Sequence, residues 1–263
     1  MLVPLYCRAV EGRRKRPVLE DPMAVQMVES IDWDFQRFGQ RRRVLGCALR
    51  SALFDVWIQE FLSRHPEGTV VEIGAGLNTR FERLDNGRLH WFDLDLPDAV
   101  ELRRRFFSDS GRRTTLAGSV LDPGWIAAVR QCPGPYFLVA ETVLVYLEEP
   151  QVKAALAQIA AGFPQLSIAL DTVGRRAIHA GNKDFVRRKL AARFTWTCND
   201  PRDIERWNIG LHLVQSRAIV DVPDPLRARL SWPARTTFSL IHRFLPKLAR
   251  VYQLNLFSGP SGA

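Results

Sequence analysis

Five short apolar runs, Thr69–Ile73, Leu89–Asp93, Thr114–Ala117, Tyr136–Ala140 and Leu166–Leu170, recur through the middle of the chain with helical patterns between them. Apolar residues at successive positions suit strands covered on both faces, and crossover helices between such strands make them parallel. The expected architecture is an open α/β sheet. Before it, the chain reads as helical up to about Pro66, most clearly in "RVLGCALRSALFDVWIQEFL". There Leu45, Leu49, Ala52, Leu53 and Val56 form one apolar stripe at helical spacing. Arg50 lies off that stripe and is expected to face something polar.

Pro97 opens the helical pattern "DAVELRRRFF", and "EEPQVKAALAQIAAGF" has acids and a proline at its start and a glycine near its end, as helix termini prefer. After Asp171 the pattern loosens into "RRAIHAGNKDFVRRKLAARF", read as a charged helical insertion. Leu211–Val214 and "VYQLNLF" then close the domain. The expected divisions are an N-terminal helical segment over 1–66, an α/β domain over 67–257 with an insertion at about 172–215, and a frayed tail over 258–263.

In a parallel sheet, ligands bind beyond the carboxyl ends of the strands. The stretch "VVEIGAGLNTRFERLDNG" puts Gly74 and Gly76 at such an end, where a missing Cβ permits positive φ and lets a ligand approach the backbone. There is neither a third glycine nor a Walker lysine, so phosphate is a poor fit. The next run ends on Asp93 and Asp95, which as alternate residues point to one side, and a carboxylate there can accept both hydroxyls of a ribose. A glycine turn with a ribose acid and no phosphate site suggests S-adenosylmethionine. A tight turn whose aspartates merely cap the next helix explains the same letters.

The net charge of +9 admits a polyanionic partner, but the arginines fall in scattered clusters without interleaved aromatics, which argues against nucleic acid. No apolar stretch of about 18 residues or secretion-signal layout is visible, so the expected location is the cytoplasm, without a membrane partner. The four cysteines are widely separated in sequence with no close Cys or His partner and are read as reduced structural thiols; no metal site is expected. His65 and His90 precede strands, opposite the expected site. None of His65, His90, His179, His212 and His242 pairs with a carboxylate by spacing.

The motifs "VVEIGAGLNTRFERLDNG…HWFDLDLPDAVELRR", "AGSVLDPGW" and "PYFLVAETVLVYLEEPQV" resemble the leucine carboxyl methyltransferase family, within it the bacterial branch of tetracenomycin-type polyketide O-methyltransferases. The resemblance runs from about Leu5 to Phe257. It implies a class I S-adenosylmethionine-dependent methyltransferase fold, Rossmann-like, with a mostly parallel seven-stranded sheet, N-terminal helices and a helical lid insertion. It also implies that Arg50 grips the methionyl carboxylate of the cofactor, with Arg8 as a second basic contact. Glu72, Gly74 and Gly76 then form the cofactor turn. Asp95, more than Asp93, takes the ribose, while Asp93 either joins it or orients local backbone. Ser119 and Val120 flank the adenine with Asp122 nearby, and Glu141 stands beside the methionyl portion, where a cationic amine or sulfonium would pair it.

The implied acceptor is a small molecule, aromatic and acidic in the polyketide reading, methylated on a carboxylate or a phenol. A carboxylate is already ionised at neutral pH, whereas a phenol needs a base. Asp171 at the end of "LSIAL" is the candidate base, and Tyr146 a candidate lining of the methyl-transfer channel. Arg175, Arg176, Arg187 or Arg188 could hold a substrate carboxylate, and Phe185, Phe194, Trp196 and Trp207 could stack on its rings or belong to the core. A tRNA- or protein-modifying enzyme and a repurposed cofactor-fold protein are the alternatives.

Overall fold

In the computed structural model, which describes residues 1–260, the chain begins with α1 (Leu2–Gly12), α2 (Pro22–Ser30) and the long α3 (Arg41–Arg64). The alternating part follows: β1 (Thr69–Ile73), α4 (Arg80–Leu84), β2 (His90–Asp95), α5 (Pro97–Arg103), β3 (Arg113–Ala117), α6 (Gly124–Val129), β4 (Tyr136–Ala140), α7 (Glu149–Gly162) and β5 (Leu166–Val173). The last part holds α8 (Arg175–Arg187), α9 (Arg202–Glu205), β6 (His212–Ala218), α10 (Asp224–Arg227), α11 (Trp232–Phe244), α12 (Pro246–Ala249) and β7 (Tyr252–Ser258). The seven strands form one sheet in the order β3-β2-β1-β4-β5-β7-β6, with β7 antiparallel to both its neighbours and the other pairings parallel. Strand order reverses between β1 and β4, where crossovers diverge to opposite faces and leave a crevice.

The strands are apolar on both sides because both sides are covered. Val71, Leu138, Ile168 and Leu170 pack with Leu156 and Ile159 of α7 on one face. Val70, Phe137, Val139 and Ala169 pack on the other face with Leu49, Leu53, Trp57 and Phe61 of α3. The apolar stripe of α3 therefore lies against the sheet, and polar residues off that stripe are free to look toward the crevice. α7 carries a capping box, the Glu148 side chain bonding the Gln151 backbone and the Gln151 side chain the Glu148 amide, which fixes where the chain turns after β4.

Four sequence expectations change. β5 runs three residues beyond Leu170, so Asp171 lies within the strand rather than at its end. Between β6 and β7 the chain forms three helices, α10, α11 and α12, in a stretch for which no element was expected. Within the insertion only Arg175–Arg187 and the short Arg202–Glu205 are helical. The expected tail begins inside β7 at Ser258, and its residues 261–263 lie outside the described part.

Candidate active site

β1 delivers the glycine turn to the crevice. Gly74 and Gly76 take φ of +66° and +47°, left-handed values that disfavour a side chain. A Cβ on Gly74 would lie 2.3 Å from a methyl of Val143, so the close neighbour at that position is the chain's own valine rather than a ligand. At Gly76 the amide donates to Asp95 Oδ2 at 2.6 Å, while Asp95 Oδ1 accepts from the Leu96 amide at 2.7 Å. Asp95 is half-buried at the end of β2, directly beside the turn.

The turn is held from behind by arginines. Arg103 Nη1 donates to the carbonyls of Gly76 (2.7 Å) and Asn78 (3.0 Å), and Arg8 Nη2 donates to that of Leu77 (2.7 Å). Arg8 is buried, with Nη2 on the turn and Nε on Asp21 at 2.9 Å. Asp93 is corrected from the ribose to local structure. It is 1% exposed and accepts from Trp91 Nε1 (3.0 Å) and Arg113 Nε (2.7 Å), with Arg103 2.9 Å away, so no edge is left for a ribose.

Beneath the turn lies an ionic box. Arg80, fully buried, donates to Asp55, Glu72 and Glu141. Glu141 also accepts from Arg50 Nε at 2.7 Å and from Ser51 Oγ at 2.9 Å. The pairing expected from a cationic ligand thus comes from two arginines, whose charges hold the Glu141 carboxyl down at about 2 against the opposing effect of burial. Glu72, bonded by Asn78 Nδ2 at 2.6 Å and by Arg80, keeps one oxygen without a partner among the described residues. Burial pushes its carboxyl up to about 7, outweighing the charge of Arg80.

Next to the box, Thr142 takes φ of +56°, a left-handed value that costs a β-branched residue energy. Asp171 pins it: its two oxygens accept from the Thr142 amide and hydroxyl, both at 2.9 Å, and from the Tyr252 hydroxyl. Asp171 is 1% exposed, and burial raises its carboxyl above the usual aspartate value. The Tyr252 hydroxyl also lies 3.3 Å from Arg50 Nη1. Arg50 is thereby held by β4 through Glu141 and by β7 through Tyr252.

The adenine-side candidates follow β3. Val120 is buried in the first core, the one that α7 closes over the sheet, and Ser119 Oγ, half-buried, accepts from the Leu121 amide at 3.2 Å, while Asp122 bonds the Gly124 amide at 3.0 Å. Tyr146 stands at the rim, 43% exposed, its ring 5.1 Å from that of Phe194, which in turn lies 4.7 Å from Phe185. Trp196 and Trp207 belong to the first core. Arg175, Arg176 and Arg187 are exposed, and Arg188 bonds Asp184 at 2.9 Å.

Three contacts went unseen in the sequence. The thiols of Cys7 and Cys47, 40 positions apart in the sequence, are neighbours where α1 packs on α3. His242 pairs with Asp221, on an exposed side chain of α11. Arg43 reaches Asp184 of α8. Arg80 and Tyr252 were legible only as members of a charged and an apolar run.

Residues 2–160 match the description of the family Leucine carboxyl methyltransferase. The chain belongs to the leucine carboxyl methyltransferase family. It is 28% identical to the tetracenomycin polyketide synthesis O-methyltransferase TcmP of Streptomyces glaucescens, over 97% of this chain and 93% of that one. It is 26% identical to the S-adenosyl-L-methionine-dependent methyltransferase dpfgK of Gibberella zeae, over 80% and 78%. Among solved structures, a DUF574 family protein from Streptomyces avermitilis superposes with a TM-score of 0.60 over 98% of this chain and 97% of that one at 11% identity. A SAM-dependent methyltransferase from Anabaena variabilis does so with 0.51 over 77% and 83%, also at 11%. These two show the fold, the class I methyltransferase sheet. As a member of the leucine carboxyl methyltransferase family the protein is an S-adenosylmethionine-dependent methyltransferase. Among the described residues no helix is long and apolar enough to cross a membrane, and no cluster of metal-ligating side chains occurs.

Proposed function

We propose that this enzyme methylates a carboxylate of a small, polyketide-like aromatic acid in the cytoplasm, over the crevice between β1 and β4. The observation that carries the choice of acceptor is the state of Asp171: buried, and with both oxygens taken by Thr142 and Tyr252. A phenol near pKa 10 needs a base at the site, whereas a carboxylate near 4 arrives ionised.

The residues fit the cofactor by the chemistry of their donors and acceptors. Asp95 presents a half-buried carboxylate beside a backbone turn, suited to a ribose. Arg50 uses Nε on Glu141 and Nη1 on Tyr252, which leaves the Nη2 edge for the methionyl carboxylate. Ser119 and Val120 would border the adenine, and Glu72, Gly74 and Gly76 shape the turn. When bound, S-adenosylmethionine supplies a methyl on a sulfonium that an acceptor oxygen displaces in line: the O–C bond forms, and the C–S electron pair leaves on sulfur. The chain's part is to hold the two reactants collinear and exclude water. The region 172–215, with the helices of 1–66, is the proposed lid, and Tyr146, Phe185 and Phe194 offer aromatic faces at its rim.

The test is incubation with methyl-labelled cofactor and paired aromatic acids and phenols. A methyl ester is expected, recognised by release of volatile label in mild base. Base-stable methyl ether as the sole product would replace this reading with phenolic O-methylation.

A further inference from the structure

Along α3, Arg43, Cys47 and Arg50 follow one another at i, i+4 and i+7, spacings that put them on one face of a helix. Arg50 reaches Glu141 at the end of β4. Arg43 stands two turns earlier, about 10 Å along the axis at 1.5 Å per residue, and reaches Asp184 on α8. The guanidinium carbon of Arg43 also lies 5.8 Å from the centroid of the Phe38 ring. Only one Arg43 nitrogen is accounted for by that ion pair. Its Nη1 is shut off from solvent and has no hydrogen-bond partner among the described residues. An unsatisfied buried donor costs on the order of 1–3 kcal/mol, more on a charged group, and a ligand that supplied the missing acceptor would recover that cost.

We infer that Arg43 is the acceptor's carboxylate anchor: Nη1 donates to an oxygen of the substrate acid, while Nη2 ties the lid helix through Asp184. This rests on the carboxylate-acceptor reading above and names the residue that selects for it. The arginines of α8 and its C-terminal end are poorer candidates: Arg175, Arg176 and Arg187 are exposed, and Arg188, which shares Asp184 with Arg43, has no shielded nitrogen awaiting a partner among the described residues. One oxygen of the acid would face Arg43, leaving the other to attack the methyl carbon. Methylation removes the negative charge that Arg43 holds, so the ester is bound less tightly than the acid, which favours product departure.

Two roles are separable. A residue that only latches the lid affects every acceptor alike, while an anchor discriminates acids from their neutral counterparts. The experiment measures binding by calorimetry, with S-adenosylhomocysteine present, of one-, two- and three-ring aromatic carboxylic acids and their primary amides, to the wild type, Arg43→Met, Arg43→Lys and Asp184→Asn. Unchanged S-adenosylhomocysteine affinity in each variant shows that the cofactor site is intact.

The expected result is a wild-type preference for acid over amide that falls about tenfold to a hundredfold in Arg43→Met, the loss of one charged hydrogen bond, recovers in part in Arg43→Lys, and persists in Asp184→Asn. Equal weakening of acid and amide by Arg43→Met and Asp184→Asn would overturn the anchor and leave a latch. So would a wild type with no preference for any acid over its amide. Failure of the wild type to bind S-adenosylhomocysteine would instead count against the proposed cofactor site.

Discussion

Arg80 and Arg43 are both largely withdrawn from water, yet they sit in opposite kinds of surroundings. Around Arg80 the charges close on themselves: Asp55, Glu72 and Glu141 consume its donors, and the arginine is fully buried. Around Arg43 one donor is used and another is left over. The contrast separates the part of the crevice that is rigid before any ligand arrives from the part that a ligand finishes. The box under the glycine turn supports, and recognition is the role proposed for the α3 face toward α8.

The sharpest way to break that contrast is Arg80→Met, which takes the shared cation from three buried carboxylates and leaves Glu72 without an ion-pair partner among the described residues. Removal of one partner from a buried ion pair costs about 3–5 kcal/mol, so the chain is expected to lose most of its stability, read as a fall in the denaturant midpoint. Arg80→Lys would rescue little, because one ammonium cannot replace a planar fork shared by three acids. Arg50→Met comes next. It gives up the charged contact proposed for the methionyl carboxylate, and S-adenosylhomocysteine affinity by calorimetry is expected to fall about tenfold to a hundredfold.

Tyr252→Phe removes the hydroxyl shared by Asp171 and Arg50. A loss of about 1–2 kcal/mol in stability is expected, together with weaker cofactor binding than wild type. Unchanged cofactor affinity would show that Glu141 alone positions Arg50.

The two acids of the box predict opposite pH trends. Glu141, held near 2 in the folded chain against an ordinary 4.5, adds stability that is present above 4.5 and lost as pH falls toward 2. Glu72, raised to about 7, adds stability that is full below 4.5 and lost as pH rises through about 7. Glu72→Gln, which cannot ionise, is therefore expected to flatten the decline in melting temperature over that upper window. The smallest effect concerns Cys47. The neighbouring Cys7 thiol and the charges of Arg50 and Arg43 bring its thiol down, while burial takes Cys198 up to about 12. At neutral pH iodoacetamide is expected to label Cys47 before Cys198, counted by peptide mass.

The parallel strands were readable because their burial on both faces left continuous apolar runs, and the glycine turn because its conformation demands particular residues. The place of Asp95 at the end of β2, beside that turn, was legible for the same local reason. Asp93 was not: its letter matches that of Asp95, and only the arrival of Arg103 and Arg113 from α5 and β3 separates the two roles. Arg43 escaped notice because a basic residue at the start of a helix resembles any solvated one until the partner on α8 and the shielded nitrogen are seen. Tyr252 sat inside an apolar run, where its hydroxyl carried no signal. Contacts between elements far apart in the chain are what the linear pattern lacks.

Because β7 lies between β5 and β6, the sheet is finished out of chain order. During translation, when domains begin to fold from their leading residues, β6 emerges with no neighbour to join and waits for Tyr252–Ser258. The hydroxyl that steadies Arg50 arrives on that same late strand. A nascent chain can therefore assemble its glycine turn early, yet fixes Arg50 between Glu141 and Tyr252 only when β7 slots home.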